Sequence, residues 1–457
     1  MKIDFYHPHE FYSNLKRNNP DNQLAGRGIY SSKGHVEKWL TNLRLNFTLN
    51  ENYRKDRTTF IPIIVSDLRF LVTENYLKYL PEYILFDLKD PSSNLFILFI
   101  NIWEATGMHD YNNGIPKIFS RFHKELGIEK DKLLWISNDL NIRHNVRLYN
   151  LFNNSNSKIL NFKNLYSKSN LLNEMNFLGI DMFQSKLWSD EMVKMPILSK
   201  EQIKEENKTI KKKYALSKTG KVRKSRLIIG DTLVENNLLE KTYFSWIDVI
   251  YFSKPYVDLN LLRHTFHVFN PLESPIGDKF DKFLKNINFI DNNKPWVLDI
   301  DPTARANFKH IGFESNINRE FLINSYATIV TETDFDELKL GSFFITEKTY
   351  QQFAFYHPFI LVGVQGLYSY IKSKGYLTFP ELFDESFDVI YDPAERMKKI
   401  KSSILNFYNT PKSKLTDIVS SDYFIDKLIH NRKNLERIRN EEKYLELQEW
   451  LSQKLVV

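Results

Sequence analysis

The chain has 457 residues, of which 42% are hydrophobic, 14% aromatic and 26% charged; this length suits two large domains, and this composition excludes intrinsic disorder as the governing state. It contains no cysteine, which excludes disulfides, thiolate zinc sites, a deaminase-type zinc centre and a cysteine nucleophile. A net charge of +7 admits an anionic ligand or partner, such as a nucleotide diphosphate, a nucleic acid or an acidic glycan.

The first nine residues lack a long apolar region and a small-residue cleavage site, so no signal peptide is expected. Together with the absence of cysteine this points to the cytoplasm, that of a host if the chain is viral. His7-Pro8-His9-Glu10 offers two histidines without the third or fourth ligand a zinc site needs, so it reads as a surface segment and no metal is assigned. The apolar runs at 95–103 and 359–364 fall short of the roughly 18–20 residues of a membrane span and read as buried strands. No membrane-spanning segment is expected.

Further short apolar runs, at Thr59–Val65, 83–87, 95–102 and 132–136, read as strands, with a helix over 114–126 among them. Strands alternating with helices predict an α/β domain with a parallel sheet. Ligands of such sheets gather at the carboxyl ends of the strands. Three carboxylates follow predicted strands: Asp67, Glu104 and Asp139, with His109 nearby. Glu104 is the candidate general base for a hydroxyl acceptor, and an ordinary loop carboxylate is the alternative for each of the three.

The polar stretch at 200–213 sets a predicted boundary between residues 1–203 and 204–457. A basic run follows, with nine Lys or Arg and no acid over 208–226. Residues 214–216 read as a strand, 217–220 as a turn and 221–226 as the start of a basic helix. This is not a P-loop, because Ala215 stands at the first glycine position and Val222 follows Lys221. A turn feeding a basic helix still has the means to cradle a phosphate. An exposed basic linker and a DNA-facing patch are the other readings.

Strand candidates recur at 296–300, 326–331 and 359–364. Asp299-Ile300-Asp301 stands at the end of the first and reads as a loop, without a metal. Thr346-Glu347-Lys348 opens a helix that Pro358 stops. Backbone N–H groups at a helix N-terminus favour anions, Lys348 adds a full charge for a diphosphate, and Glu347 has the acceptors for two ribose hydroxyls. A capping residue beside a solvated pair is the structural alternative. A last helix is predicted over 423–451, with apolar residues such as Ile425, Leu428, Leu435 and Ile438 on one face.

Residues 326–333, 343–349 and 358–363, taken together, resemble the donor-binding region of the α-1,3-fucosyltransferase family. That family carries a strand ending in Glu-Asn, a Thr-Glu-Lys helix start and a closing apolar strand. The tail Gly375-Tyr-Leu-Thr-Phe379, Asp384-Glu-Ser-Phe-Asp388 and Arg396 resembles phage and algal-virus glycosyltransferase-like proteins. The likeness covers 326–396, weakens over 212–245 and is faint in the first half. It implies two Rossmann-like domains facing across a cleft, a GT-B-like arrangement, with an acceptor-side domain first and a nucleotide-sugar domain second. It implies that Glu347 holds the donor ribose, Lys348 the diphosphate, Glu332 the nucleotide side of the strand end, and Arg226, then Arg223, a phosphate. Glu332-Thr333 departs from the family's Glu-Asn.

The expected activity is therefore transfer of a sugar from a nucleotide-diphosphate donor to a hydroxyl acceptor, without a cofactor or metal and with inversion. The acceptor is a glycan or a modified base of viral DNA. A non-catalytic protein that binds nucleotide or nucleic acid is the rival class. The acidic residues of the tail, Asp384, Glu385 and Asp388, are expected to be structural, linking this segment to the donor domain, with a contact to the sugar as the alternative.

Overall fold

A computed structural model of the chain describes residues 2–18, 29–30, 33–43, 45–65, 71, 75–101, 115–137, 142, 146, 175, 177–179, 197–219, 223–246, 259–274, 276–292, 319–332, 335, 343, 345–441 and 445–453. The chain divides into two compact units. One comprises Met1–Lys186, Leu338–Phe344 and Glu441–Val457, and the other Leu187–Glu337 and Ile345–Asn440. Each carries a parallel sheet flanked by helices, an arrangement compatible with a Rossmann-like domain.

The first unit runs β1 (Ile3–Tyr6), α1 (His9–Asn18), β2 (Ile29–Tyr30), α2 (Lys33–Asn42), β3 (Phe47–Asn50), β4 (Thr59–Val65), α3 (Glu82–Lys89), β5 (Leu95–Asn101), α4 (Ile115–Leu126), β6 (Leu133–Ser137) and β7 (Phe177–Gly179). The sheet order is β3-β1-β4-β5-β6-β7, with all neighbours parallel. Every residue of β4 and β6 is buried, as expected where helices cover both faces of a parallel sheet. Ile115, Ile118, Phe119 and Phe122 of α4 are buried, the i, i+3, i+4, i+7 stripe of a core-facing helix. Phe122 stacks on Phe99 of β5 at 5.9 Å, and Trp135 of β6 meets the same ring at 5.3 Å.

The strand predicted over 83–87 is instead α3. Ile84 and Leu88 are buried while Tyr83 and Phe86 face outward. That four-residue spacing is helical, and it shows only when the window extends to Leu88. The N-terminal segment read as surface is also corrected: β1 is a strand of the sheet, and His7 after it is 3% exposed.

The second unit contains α5 (Lys200–Asn207), β8 (Lys213–Thr219), α6 (Lys224–Glu235), β9 (Thr242–Trp246), α7 (Leu259–Phe269), α8 (Asp278–Asn292), α9 (Arg319–Ile323), β10 (Ser325–Thr331), α10 (Glu347–Ala354), β11 (Phe359–Val362), α11 (Leu367–Ser373), α12 (Pro393–Asn409), α13 (Lys412–Ser420) and α14 (Asp422–Glu441). Its sheet order is β11-β10-β8-β9, parallel throughout. The predicted turn at 217–220 gives way to strand through Thr219, paired with Trp246. The 203/204 position lies inside α5, whose start carries a Ser199–Gln202 capping box. The strand candidate at 296–300 lies outside the described residues.

Helix ends in this unit are set by local backbone chemistry. At the end of α10 the N–H of His357 donates to the carbonyl of Gln352 at 3.0 Å, and that of Tyr356 to the carbonyl of Phe353 at 3.4 Å. This is a Schellman motif, with Tyr356 at φ 55° in a position that usually takes glycine. The Tyr356 hydroxyl accepts the Leu198 N–H at 3.3 Å. α11 ends the same way with Gly375 at φ 81°, which explains the glycine of the tail signature.

Candidate functional site

In an open parallel sheet, the strand order reverses at a switch point, and the loops there diverge to leave room for a ligand. In the second unit that point lies between β8 and β10. The helix after β8 begins at Lys224, with Arg223 as its N-cap residue in extended backbone. Arg226, in the first turn, is 4% exposed, and its guanidinium donates to the carbonyl of Thr331 at 3.2 Å. It therefore ties the start of α6 to the last residue of β10.

The next residue is Glu332, 1% exposed. Its carboxylate accepts the Thr346 N–H at 3.2 Å, the Thr346 hydroxyl at 2.6 Å and the Thr349 hydroxyl at 2.6 Å. Its own N–H donates to Val362 of β11 at 2.9 Å. Glu332 thus fastens the N-terminus of α10 to the carboxyl end of β10. Thr346 is the N-cap of α10, and its hydroxyl oxygen accepts the Lys348 N–H at 3.4 Å. The half-buried Lys348 ammonium reaches the same oxygen at 3.4 Å.

The Thr-Glu-Lys-Thr sequence consequently has a part that sequence reasoning missed: both threonines grip Glu332. The signal was present as Thr346 and Thr349, three apart on one helix face. Arg226, Glu332, Thr346 and Lys348 come together at one edge of the sheet. Glu347 opens α10, and its side chain lies outside the described set, as do Glu104, Asp67, Asp139, His109, Asp299 and Asp301.

Among the described residues of the basic run at 208–226, burial and ion pairing divide the charges. Lys211 and Arg226 are buried. The Lys208 ammonium lies 3.1 Å from Glu205, and that of Lys212 lies 4.0 Å from Glu320. Burial lowers the Lys211 ammonium from its usual range to about 8, and it donates to the carbonyl of Glu206 at 2.6 Å.

The tail residues hold backbone and side-chain groups of the second unit. Asp388 accepts the N–H groups of Tyr368 and Ser369 at 2.9 Å each and so caps α11. Glu385 accepts the Thr378 hydroxyl at 2.7 Å and the Phe379 N–H at 2.9 Å. Asp384 accepts the Ser386 N–H at 2.9 Å. Arg396 donates to the carbonyls of Ile390, Tyr391 and Phe335 at 2.7, 2.9 and 2.6 Å, with its guanidinium 4.7 Å from the Phe335 ring.

His7, at the carboxyl end of β1, stacks on Tyr12 at 4.1 Å, and burial lowers its imidazole to about 4. β2 pairs with Ile64 and Val65 of β4, beyond the point where β1 ends. Among the described residues, no group of three or more His, Asp or Glu side chains is placed to share a metal ion, and no helix is long and apolar enough to cross a membrane. No protein-family model matches the chain, and comparison with curated proteins and with solved structures finds no match.

Proposed function

We propose that the chain is a glycosyltransferase whose second unit holds the diphosphate of a nucleotide-sugar donor. The observation that carries this reading is the meeting of two helix N-termini, those of α6 and α10, at the carboxyl edge of β8 and β10. Each brings a cation in its first turn, Arg226 and Lys348. Helix N-termini favour anions through their N–H groups and dipole, and the switch point is where an open sheet leaves space for one. The resemblance of residues 326–396 to fucosyltransferase-type donor domains agrees with that placement.

On this reading Lys348 lies against the diphosphate, Glu347 takes the ribose hydroxyls, and Arg223 stands beside the phosphates at the start of α6. Arg226 and Glu332 act from behind, by fixing the two helix starts. The acceptor hydroxyl attacks the anomeric carbon, its proton passes to Glu104, and the bond from that carbon to the diphosphate oxygen breaks with its electron pair leaving on the diphosphate. Positive charge placed in advance stabilises that leaving group. Inversion follows from the single displacement.

The test is thermal stabilisation by nucleoside diphosphates and sugar nucleotides, for wild type and Lys348→Ala. A ligand at about 100 times its dissociation constant adds roughly 2.7 kcal/mol. One nucleotide should stabilise the wild type, and the variant should lose most of that response. If no nucleotide shifts the unfolding transition, the donor-site reading fails. If binding is present but no sugar is transferred to glycan or DNA acceptors, the protein is a nucleotide-binding protein without transferase activity.

A further inference from the structure

The geometry points to a second binding site in the same unit, one that takes a small organic cation with an apolar ring as its body. The site is a half-open cavity of about 720 Å³ lined by α6, α7, α8 and α12 and by the turn that joins α7 to α8. That size suits a small-molecule ligand. None of Arg223, Arg226, Glu332, Glu347 or Lys348 lines it, so it is separate from the proposed donor site.

One part of its wall is apolar. Phe266 and Phe269 of α7 and Phe283 of α8 contribute to it, with Ile228 and Met397. Phe266 and Phe283 lie 5.8 Å apart, centroid to centroid, as a preformed aromatic surface. Another part is a buried polar pair. Asp231 of α6 and Asn286 of α8 are each 9% exposed, and the Asn286 amide donates to the Asp231 carboxylate at 2.8 Å. A carboxylate has about four lone-pair positions, so this bond leaves capacity for a further donor.

The charges around the cavity select the kind of ligand. The Lys282 ammonium pairs with Glu235 at 2.8 Å, and Lys279 is bound to Glu273. Lys398 lies 3.9 Å from Glu395, and Asp392 caps α12 by accepting the Glu395 N–H at 2.8 Å. These groups are engaged with one another. Burial raises the Asp231 carboxyl from 3.8 to about 6; Lys401 of α12 and Lys282 of α8 pull it back, and Glu235 pushes it further up. Asp231 is therefore ionised at neutral pH but poorly solvated. An ammonium set against it donates to the carboxylate, a charge-assisted hydrogen bond, while an apolar ring on the same ligand packs on the phenylalanine wall. An anion would be repelled there, and a neutral apolar body would strip water from the carboxylate without replacing it.

The experiment titrates the full chain with phenethylammonium, with 2-phenylethanol and phenylacetate as neutral and anionic controls of the same shape. Binding is followed by calorimetry at pH 7.5 and pH 5, for wild type and Asp231→Asn. No nucleotide is present, so the result is independent of the donor-site reading. Phenethylammonium should bind and the two controls should not. Protonation of Asp231 at pH 5 should weaken binding about tenfold, and Asp231→Asn should weaken it at least as much. Equal binding of all three probes, no binding of the ammonium at millimolar concentration, or binding unaffected by both the substitution and the pH change would each overturn the proposal. Should Asp231→Asn fail to fold, the wild-type pH comparison decides alone.

Discussion

The two sheets share a strand order around their first parallel strands, β3-β1-β4 in one unit and β9-β8-β10 in the other, yet their switch points are treated differently. In the first, β2 joins the end of β4 beyond β1, and the residue after β1 is a buried imidazole stacked on tyrosine. In the second, the ends of β8 and β10 are occupied by charged side chains and helix starts. Among the described residues, the first place holds a stacked imidazole and the added strand β2, and the second holds ionic groups fastened to helix starts. Topology nominates a site, and the side chains decide it.

The sharpest way to break this contrast is Glu332→Ala. The substitution removes the acceptor for the Thr346 N–H and for two threonine hydroxyls, all buried. Leaving such donors without a partner should cost about 3–5 kcal/mol. Chemical denaturation should show a lower midpoint with an unchanged slope. A loss under about 1 kcal/mol would mean that α10 is held by other contacts and that Glu332 does not organise the edge.

The next effect is a pH dependence common to both units. Burial lowers His7 from 6.5 to about 4 and His357, before β11, from 6.5 to about 3. Below pH 6.5 the unfolded chain binds protons that the folded chain refuses, so stability falls as pH drops toward those lower values. The loss should be on the order of 2–3 kcal/mol for each histidine. His7→Phe should flatten the part belonging to the first unit and leave that of His357 in place. If denaturation midpoints at pH 7 and pH 5 differ equally in wild type and variant, His7 is not a buried neutral base.

Much of the sheet framework was legible because buried parallel strands are continuous apolar runs: β4, β5, β6, β10 and β11 stand out in this way. β1 and β3 did not, since four residues with polar members, Ile-Asp-Phe-Tyr and Phe-Thr-Leu-Asn, carry too little pattern. At the candidate site, the helix start at Glu347 could be read from sequence, because caps and prolines are local signals, whereas Arg226 stands out only through the family resemblance. The grip of Thr346 and Thr349 on Glu332 could not be read in this way, since it joins residues 14 and 17 apart in sequence. The Asp231–Asn286 pair, separated by 55 positions, left no local signal at all.

A smaller effect, opposite in sign, comes from Asp231. Its folded carboxyl is raised from 3.8 to about 6, so the stability it contributes when protonated is lost as pH rises through that interval. At pH 7 the ionised group weighs against folding. Asp231→Asn keeps an acceptor for Asn286 and should raise stability by about 1–2 kcal/mol at pH 7, with no gain at pH 4. Thermal unfolding at the two values checks this. A variant less stable than wild type at pH 7 would show that Lys401 and Lys282 compensate the carboxylate fully.

The smallest expected effect comes from the cap of α5 in the second unit. Ser199 caps α5 by accepting the Gln202 N–H at 3.2 Å, while the Gln202 side chain accepts the Ser199 N–H at 2.8 Å. Ser199→Ala should cost about 1 kcal/mol or less. α5 remains attached to the second unit by buried Ile203 and by the Asn207 amide, which donates to the Val419 carbonyl at 3.1 Å. The Lys200–Asp426 and Lys204–Asp422 pairs, at 2.7 and 2.8 Å, are exposed and add little. Hydrogen exchange should therefore quicken at the first turn of α5 alone, since fraying at a cap is a local opening. Faster exchange along the whole of α5 would show that the cap governs the stability of the entire helix.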